Sequence, residues 1–286
     1  MDYKTKYLKY KKKYISLKNQ QIGGNKEKLI YIFDFDQTLM MTAALGYIKD
    51  KNGEVKCSIT SHNYVDIDEK VRNQINDYSE FTSNLVTIQK MQEGCIIKKY
   101  GDMIKSLPSE NIGILTARMI IPSLLKKFLE NKFEIKLNLE NVIASGNSGN
   151  FSLIKNDLEN IDENSNAYIF LKKFGIKYKL SVKDLLKTRK ADYRKAISII
   201  WFINRGFSDI YFYDDTPENV LAVNDLNEIS KSLGLNISIK SILITDEERL
   251  ECIPKINKKL EEDDLYRKTN LSSKQCKVYL SSITKT

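Results

Sequence analysis

Apolar residues along this chain collect into short, dense runs separated by longer segments of helical period. Leu29-Ile30-Tyr31-Ile32-Phe33 is β-rich and lacks polar alternation, the pattern of a strand covered on both faces in a parallel sheet. Ile112-Gly113-Ile114-Leu115 and Ile210-Tyr211-Phe212-Tyr213 repeat it, and Leu137 to Val142 and Ile237 to Ile244 supply two more strands. Between them lie helical patterns: Ile120 to Phe128, a segment after Lys190 with Ala191, Ala196, Ile197, Ile199, Ile200 and Phe202 at apolar positions, and one opening at Pro217. Strands alternating with helices predict an α/β, Rossmann-like core, with a parallel sheet of at least five strands flanked by helices. Ligands of such sheets gather at the carboxyl ends of the strands.

Other segments do not follow this rhythm. About seventy residues separate Leu39 from Asn111, too many for a bare turn. Within them, Gly46 to Tyr64 reads as a hairpin turning at Lys51-Asn52-Gly53, and Asp66 to Tyr78 and Ser83 to Lys105 read as helices. This insert, about 40–110, is expected to form a small cap. Its Tyr47, Tyr64, Tyr78 and Phe81 then serve as its own core or as contacts to a substrate. Ala144 to Ser165, rich in Gly, Ser and Asn, reads as a loop. In residues 1–24, Tyr3, Tyr7, Tyr10, Tyr14 and Leu17 recur at four- and three-residue steps among lysines, an amphipathic stripe in a separate basic leader. Residues 25–254 are read as the main domain and 255–286 as a charged tail, helical from Lys255 to Arg267.

Candidate chemistry sits where the strands stop. The first run ends in Asp34-Phe35-Asp36-Gln37-Thr38, two carboxylates at a spacing that serves either turn chemistry or a nucleophile beside a proton carrier. The second ends in Thr116-Ala117-Arg118: a hydroxyl that caps a helix or holds a phosphoryl oxygen, then a guanidinium that forks onto phosphate or stays in solvent. Lys187, Lys190 and Lys195 crowd the start of the long helix, with Lys190 favoured by its place at the helix start and Lys187 next. A third run ends in Asp214-Asp215 before Thr216-Pro217-Glu218-Asn219. Adjacent acids at a buried strand end are costly unless a cation compensates them, and an all-oxygen set points to magnesium.

Taken together, these four elements resemble the haloacid dehalogenase superfamily of magnesium-dependent phosphatases, over roughly Leu29 to Thr245. The resemblance implies a phosphomonoester hydrolase working through an aspartyl-phosphate. Asp34 is then the nucleophile and a ligand of Mg2+. Asp36 is the general acid and base and lends its carbonyl to the ion. Thr116 and Lys190 hold the phosphate with Arg118 and Thr38, Asp215 and Asp214 bind the metal directly and through water, and Asn219 braces the loop. The insert around Asp77 to Phe81 is similar to inserts in viral and phage members of that superfamily, and the leader with its closing Gly23-Gly24 resembles leaders of mimivirus-like giant-virus proteins. The expected partner is a phosphorylated small molecule or nucleotide. Two rivals stand beside it: a polynucleotide 3′-phosphatase of nucleic-acid repair, and a non-catalytic virion-associated protein on the same fold.

The net charge of +9 modifies this picture only at the ends. Residues 1–30 carry +7 and 255–286 carry +4, whereas 31–254 carry −2, so nucleic acid is reachable through the termini and the catalytic domain is no basic binder. Cys57, Cys95, Cys252 and Cys276 form no CxxC pair and read as reduced thiols of a cytoplasmic protein, in host cytoplasm or virion. The longest apolar run, Ala196 to Ile203, is far too short to span a bilayer, and the lone His62 has no part in the expected chemistry.

Overall fold

A computed structural model of the chain describes residues 28–60, 74–82 and 85–269. Among these residues the strands, in chain order, are β1 (Leu29–Phe33), β2 (Met40–Met41), β3 (Leu45–Lys49), β4 (Val55–Thr60), β5 (Cys95–Ile96), β6 (Ile112–Thr116), β7 (Val142–Ala144), β8 (Asp209–Asp214) and β9 (Ser238–Leu243). Five of them pair in parallel in the order β7-β6-β1-β8-β9, so the expected five-stranded α/β core is present.

Strand alternation explains the layers. On β1, Ile30 and Ile32 enter a core built with the helices Ser148–Glu159, Asn166–Lys177, Ala191–Asn204 and Pro217–Ser232. Phe33 enters the opposite core, against Tyr100, Leu125, Phe133 and Ile256 from the helices Lys98–Ser106, Pro122–Phe133 and Ile253–Glu262. Each fully buried Ile or Phe contributes about 1.5–3 kcal/mol, which is why a strand apolar on both faces is confined to the middle of such a sandwich. With β6 and β8 on either side of β1, the three strand ends that carry candidate chemistry stand together.

Several local expectations are corrected. The strand read over Leu137 to Val142 is shorter and later: Leu139–Asn141 form a 3-10 turn and only Val142–Ala144 pair with β6. Ala144 to Ser165 is not a loop throughout, because Ser148–Glu159 is helical. Asn147 caps it by accepting from the Asn150 N–H, and Phe151, Ile154 and Leu158 line one buried face that the polar composition concealed. Gly146 in the preceding turn is forced by contact, since a Cβ there would lie 1.9 Å from the Ala117 carbonyl oxygen.

In the insert, the hairpin is β3–β4, turning through Gly53 at φ 82°, with Asp50 accepting from the N–H groups of Asn52 and Glu54. The helix expected over 83–105 is divided into Leu85–Gln92 and Lys98–Ser106. At Gly94 between them a Cβ would come within 2.8 Å of the Met41 carbonyl, and this close approach lets β5 pair with β2. Tyr64, His62, most of the helix expected over 66–78, the basic leader and residues 270–286 lie outside the described residues. The start of the charged tail is part of the body: Ile256 and Leu260 are buried, and the Thr269 hydroxyl donates to Ser58 on β4 at 2.9 Å.

The cysteines also depart from expectation. Cys95 and Cys252 form a disulfide, with Cα atoms 5.5 Å apart. They are 157 positions apart in sequence and meet only because β5 runs beside the turn that opens the Ile253–Glu262 helix, so spacing carried no sign of the bond. Cys57 is a buried thiol and Cys276 lies outside the described residues. Among the described residues no helix is long and apolar enough to cross a membrane.

Candidate active site

Asp34 continues β1 by one residue, its N–H donating to the Tyr213 carbonyl at 2.8 Å, and the chain then turns sharply. Gln37 takes a left-handed conformation at φ 59°, a strained state for a side chain with a Cβ, held by the Gln37 N–H to Met40 carbonyl bond at 2.8 Å. This turn carries Asp36 away from the strand direction. On the other side of β1, β8 ends in Asp214, whose carboxylate is fully buried and accepts from the Thr216 N–H at 2.9 Å and the Asn219 amide at 3.0 Å. Pro217 opens the following helix, and from its first turn the Asn219 amide donates back to the strand end.

One carboxylate oxygen from each of Asp34, Asp214 and Asp215 lies within 4.8 Å of the others. Lys195 sits against two of them, its Nζ 2.5 Å from Asp214 Oδ2 and 3.0 Å from Asp34 Oδ1. The second contact is an ion pair without hydrogen-bond geometry, so among the described residues the buried Asp34 Oδ1 accepts no hydrogen bond. Burial, then the neighbouring acids, push the Asp34 carboxyl well above its usual range, against the pull of Lys195. Asp215 is raised to about 7 by burial and by Asp214, and among the described residues its one ion contact is Arg249 at 3.4 Å. Burial works against the charge of Lys195, but Asp214 and Asp34 outweigh it and hold its pKa above the ordinary lysine value.

The donor set fits a hard divalent cation. Three converging carboxylates, all oxygen, share the Lys195 ammonium and a 3.4 Å contact to Arg249, fewer positive charges than negative ones. Asp36 is not among the three. Its carboxylate is gripped by Arg118, Nε to Oδ2 at 2.7 Å and NH2 to Oδ1 at 2.6 Å, so Arg118 is not an open fork for phosphate. Thr116 ends β6 beside Asp34's strand, buried, its Oγ1 accepting from the Arg118 N–H and its carbonyl from Ser145. Thr38 is buried, and among the described residues its hydroxyl makes no hydrogen bond.

The lysine differs from the sequence reading. Lys190 caps the Ala191–Asn204 helix from outside, exposed, with Nζ 5.0 Å from the Tyr193 ring centre, and Lys187 is exposed as well. Lys195, 1% exposed, occupies the site. It shares the buried face of that helix with Ser198, Ile199 and Phe202, and a lysine on an apolar stripe was the available signal. Arg249, also missed, arrives on the turn after β9 and is bound to Asp246 at 2.7 Å; nothing in its charged surroundings marks it in the sequence. Of the insert aromatics, Tyr47 is buried and donates to Glu80, while Phe81 packs on the Arg118 guanidinium.

Comparison with models of protein families, with characterised proteins and with solved structures finds no match for this chain.

Proposed function

We propose that the chain is a magnesium-dependent phosphatase that hydrolyses a phosphomonoester through a phosphoryl-Asp34 intermediate. The observation that carries this reading is the convergence of Asp34, Asp214 and Asp215 with Lys195 at the carboxyl edge of a parallel sheet. Asp34, Asp214 and Asp215 would hold the ion, which when bound supplies positive charge where the phosphate dianion must approach. Without such charge, a carboxylate and a phosphate oxygen about 4 Å apart repel by roughly 4 kcal/mol at an effective dielectric near 20.

The residues divide the work. An Asp34 oxygen attacks phosphorus in line as the ester P–O bond breaks, and Asp36 gives its proton to the departing oxygen. Water then attacks the same phosphorus, its proton passes to Asp36, and the Asp34–phosphorus bond breaks to release inorganic phosphate. Lys195 pulls Asp34 toward its anionic form, against burial, and Thr116 offers a hydroxyl at the adjoining strand end. The polynucleotide version of this reading draws its support from basic ends that lie largely outside the described residues.

The test is Asp34→Asn against a panel of phosphomonoesters with and without Mg2+. Turnover is abolished, circular dichroism is unchanged, and mass spectrometry of acid-quenched wild type finds a phosphoryl adduct on the Asp34 peptide that the variant lacks. Retained turnover in the variant refutes the assignment.

A further inference from the structure

Arg118 is 2% exposed and its hydrogens are nearly all committed. Nε and NH2 fork Asp36, NH2 also donates to Thr42 Oγ1 at 3.0 Å, and NH1 reaches the Glu80 carbonyl at 3.4 Å. Aromatic rings sit on the guanidinium: Phe35 from the loop that carries Asp36, with its centre 5.1 Å away, and Phe81 from the insert at 5.0 Å. The same part of the insert accepts from the next residue, Met119 N–H to the Phe81 carbonyl at 3.1 Å.

A guanidinium stacked on rings cannot tilt freely, and a fork onto both carboxylate oxygens transmits its plane to the acid. We infer that Arg118 is a positioning residue for Asp36 and that Phe81 makes its action depend on where the insert sits. This deepens the phosphatase reading and rests on it. The fork holds both oxygens of Asp36; in each half-reaction one arm releases its oxygen, which exchanges a proton first with the departing ester oxygen and then with water, while the other arm keeps the plane. The insert thus contributes to proton transfer without touching substrate.

The consequence is selective. An ester whose alcohol leaves poorly needs the proton of Asp36, whereas p-nitrophenolate leaves without one. Phe81→Leu, Phe81→Tyr and Arg118→Lys are assayed with Mg2+ on glycerol phosphate and on p-nitrophenyl phosphate, separating kcat from KM. General acid catalysis contributes about 10²- to 10⁴-fold, so loosening the clamp with Phe81→Leu lowers kcat on glycerol phosphate about 10-fold, and losing the fork with Arg118→Lys lowers it about 100-fold. KM on glycerol phosphate, and the single-turnover rate of p-nitrophenolate release, which excludes the later Asp36-assisted hydrolysis, stay within about threefold for both variants, and Phe81→Tyr, which keeps the ring, restores the glycerol phosphate rate.

Equal losses in single-turnover cleavage of the two esters in both Phe81→Leu and Arg118→Lys, or no loss on either, overturn the inference while leaving the phosphatase reading standing. A wild-type protein with no magnesium-dependent turnover of any phosphomonoester overturns both.

Discussion

Replacing Lys195 with Met tests the electrostatic architecture without reference to any substrate. The change keeps an unbranched stem of similar length and removes one buried charge that lies 2.5 Å from Asp214 and 3.0 Å from Asp34. At an effective dielectric near 20 those contacts are gross attractions of about 6 kcal/mol each, set against a desolvation cost of several kcal/mol for each buried ion. Taking away one partner leaves the others buried and uncompensated, which typically costs about 3–5 kcal/mol. Against a whole-domain stability of about 5–15 kcal/mol that is a large share. Urea unfolding of the metal-free protein at pH 8 measures it. Adding Asp34→Asn to Lys195→Met recovers about 1–3 kcal/mol, because one stranded charge is gone. Lys190→Met, at an exposed cap, stays within about 0.5 kcal/mol of wild type. The reasoning is refuted if Lys195→Met costs under about 1 kcal/mol, or if Lys190→Met costs as much as Lys195→Met.

Further predictions rest on the acids and on the cross-link. Asp34 and Asp215 bind protons more tightly folded than unfolded, so the stability they lend is full below about pH 4 and is lost as pH rises through the folded value, about 7 for Asp215. The metal-free protein therefore melts lower at pH 7.5 than at pH 5, and Mg2+ raises the melting temperature at pH 7.5 far more than at pH 5; a melt indifferent to both conditions contradicts the cluster. Reducing and alkylating Cys95 and Cys252, whose bond spans 157 positions, lowers stability by about 2–5 kcal/mol by freeing the unfolded chain. Chemical unfolding with and without a dithiol reductant measures this, and superimposable curves with confirmed alkylation refute it.

What the sequence disclosed, it disclosed through strand ends. Short runs such as Leu29–Phe33 and Asp209–Asp214 are legible because burial on both faces leaves no room for polar residues until the chain emerges, and the residues at emergence are those that meet a ligand. The fold class followed from the same runs. Properties of assembly did not. That β6 and β8 flank β1 is decided by pairing across most of the chain, and the Cys95–Cys252 bond depends on it too. The sequence favours Lys190 over Lys195 because position at a helix start is a local rule, whereas what selects Lys195 is the face of the helix turned to the sheet. The Ser148–Glu159 helix was hidden for a related reason: Asn147 and Ser148 are turn residues by composition, and here they begin a helix whose stability comes from Phe151, Ile154 and Leu158 in the core.

The distribution of cations around the acids identifies where compensation is still needed. Arg118 is spent on Asp36, and Arg249 divides itself between Asp215 and the exposed Asp246. Lys195 spans Asp34 and Asp214, and Asp214 has two further donors in Thr216 and Asn219. The deficit falls on Asp34 and Asp215, and these are the two carboxyls of the cluster that burial drives toward the protonated form. A proton relieves the strain but leaves Asp34 unable to act as a nucleophile. A divalent cation relieves it and keeps the oxygen anionic, which is why the proposed chemistry calls for magnesium at the edge that Asp34 and Asp215 share.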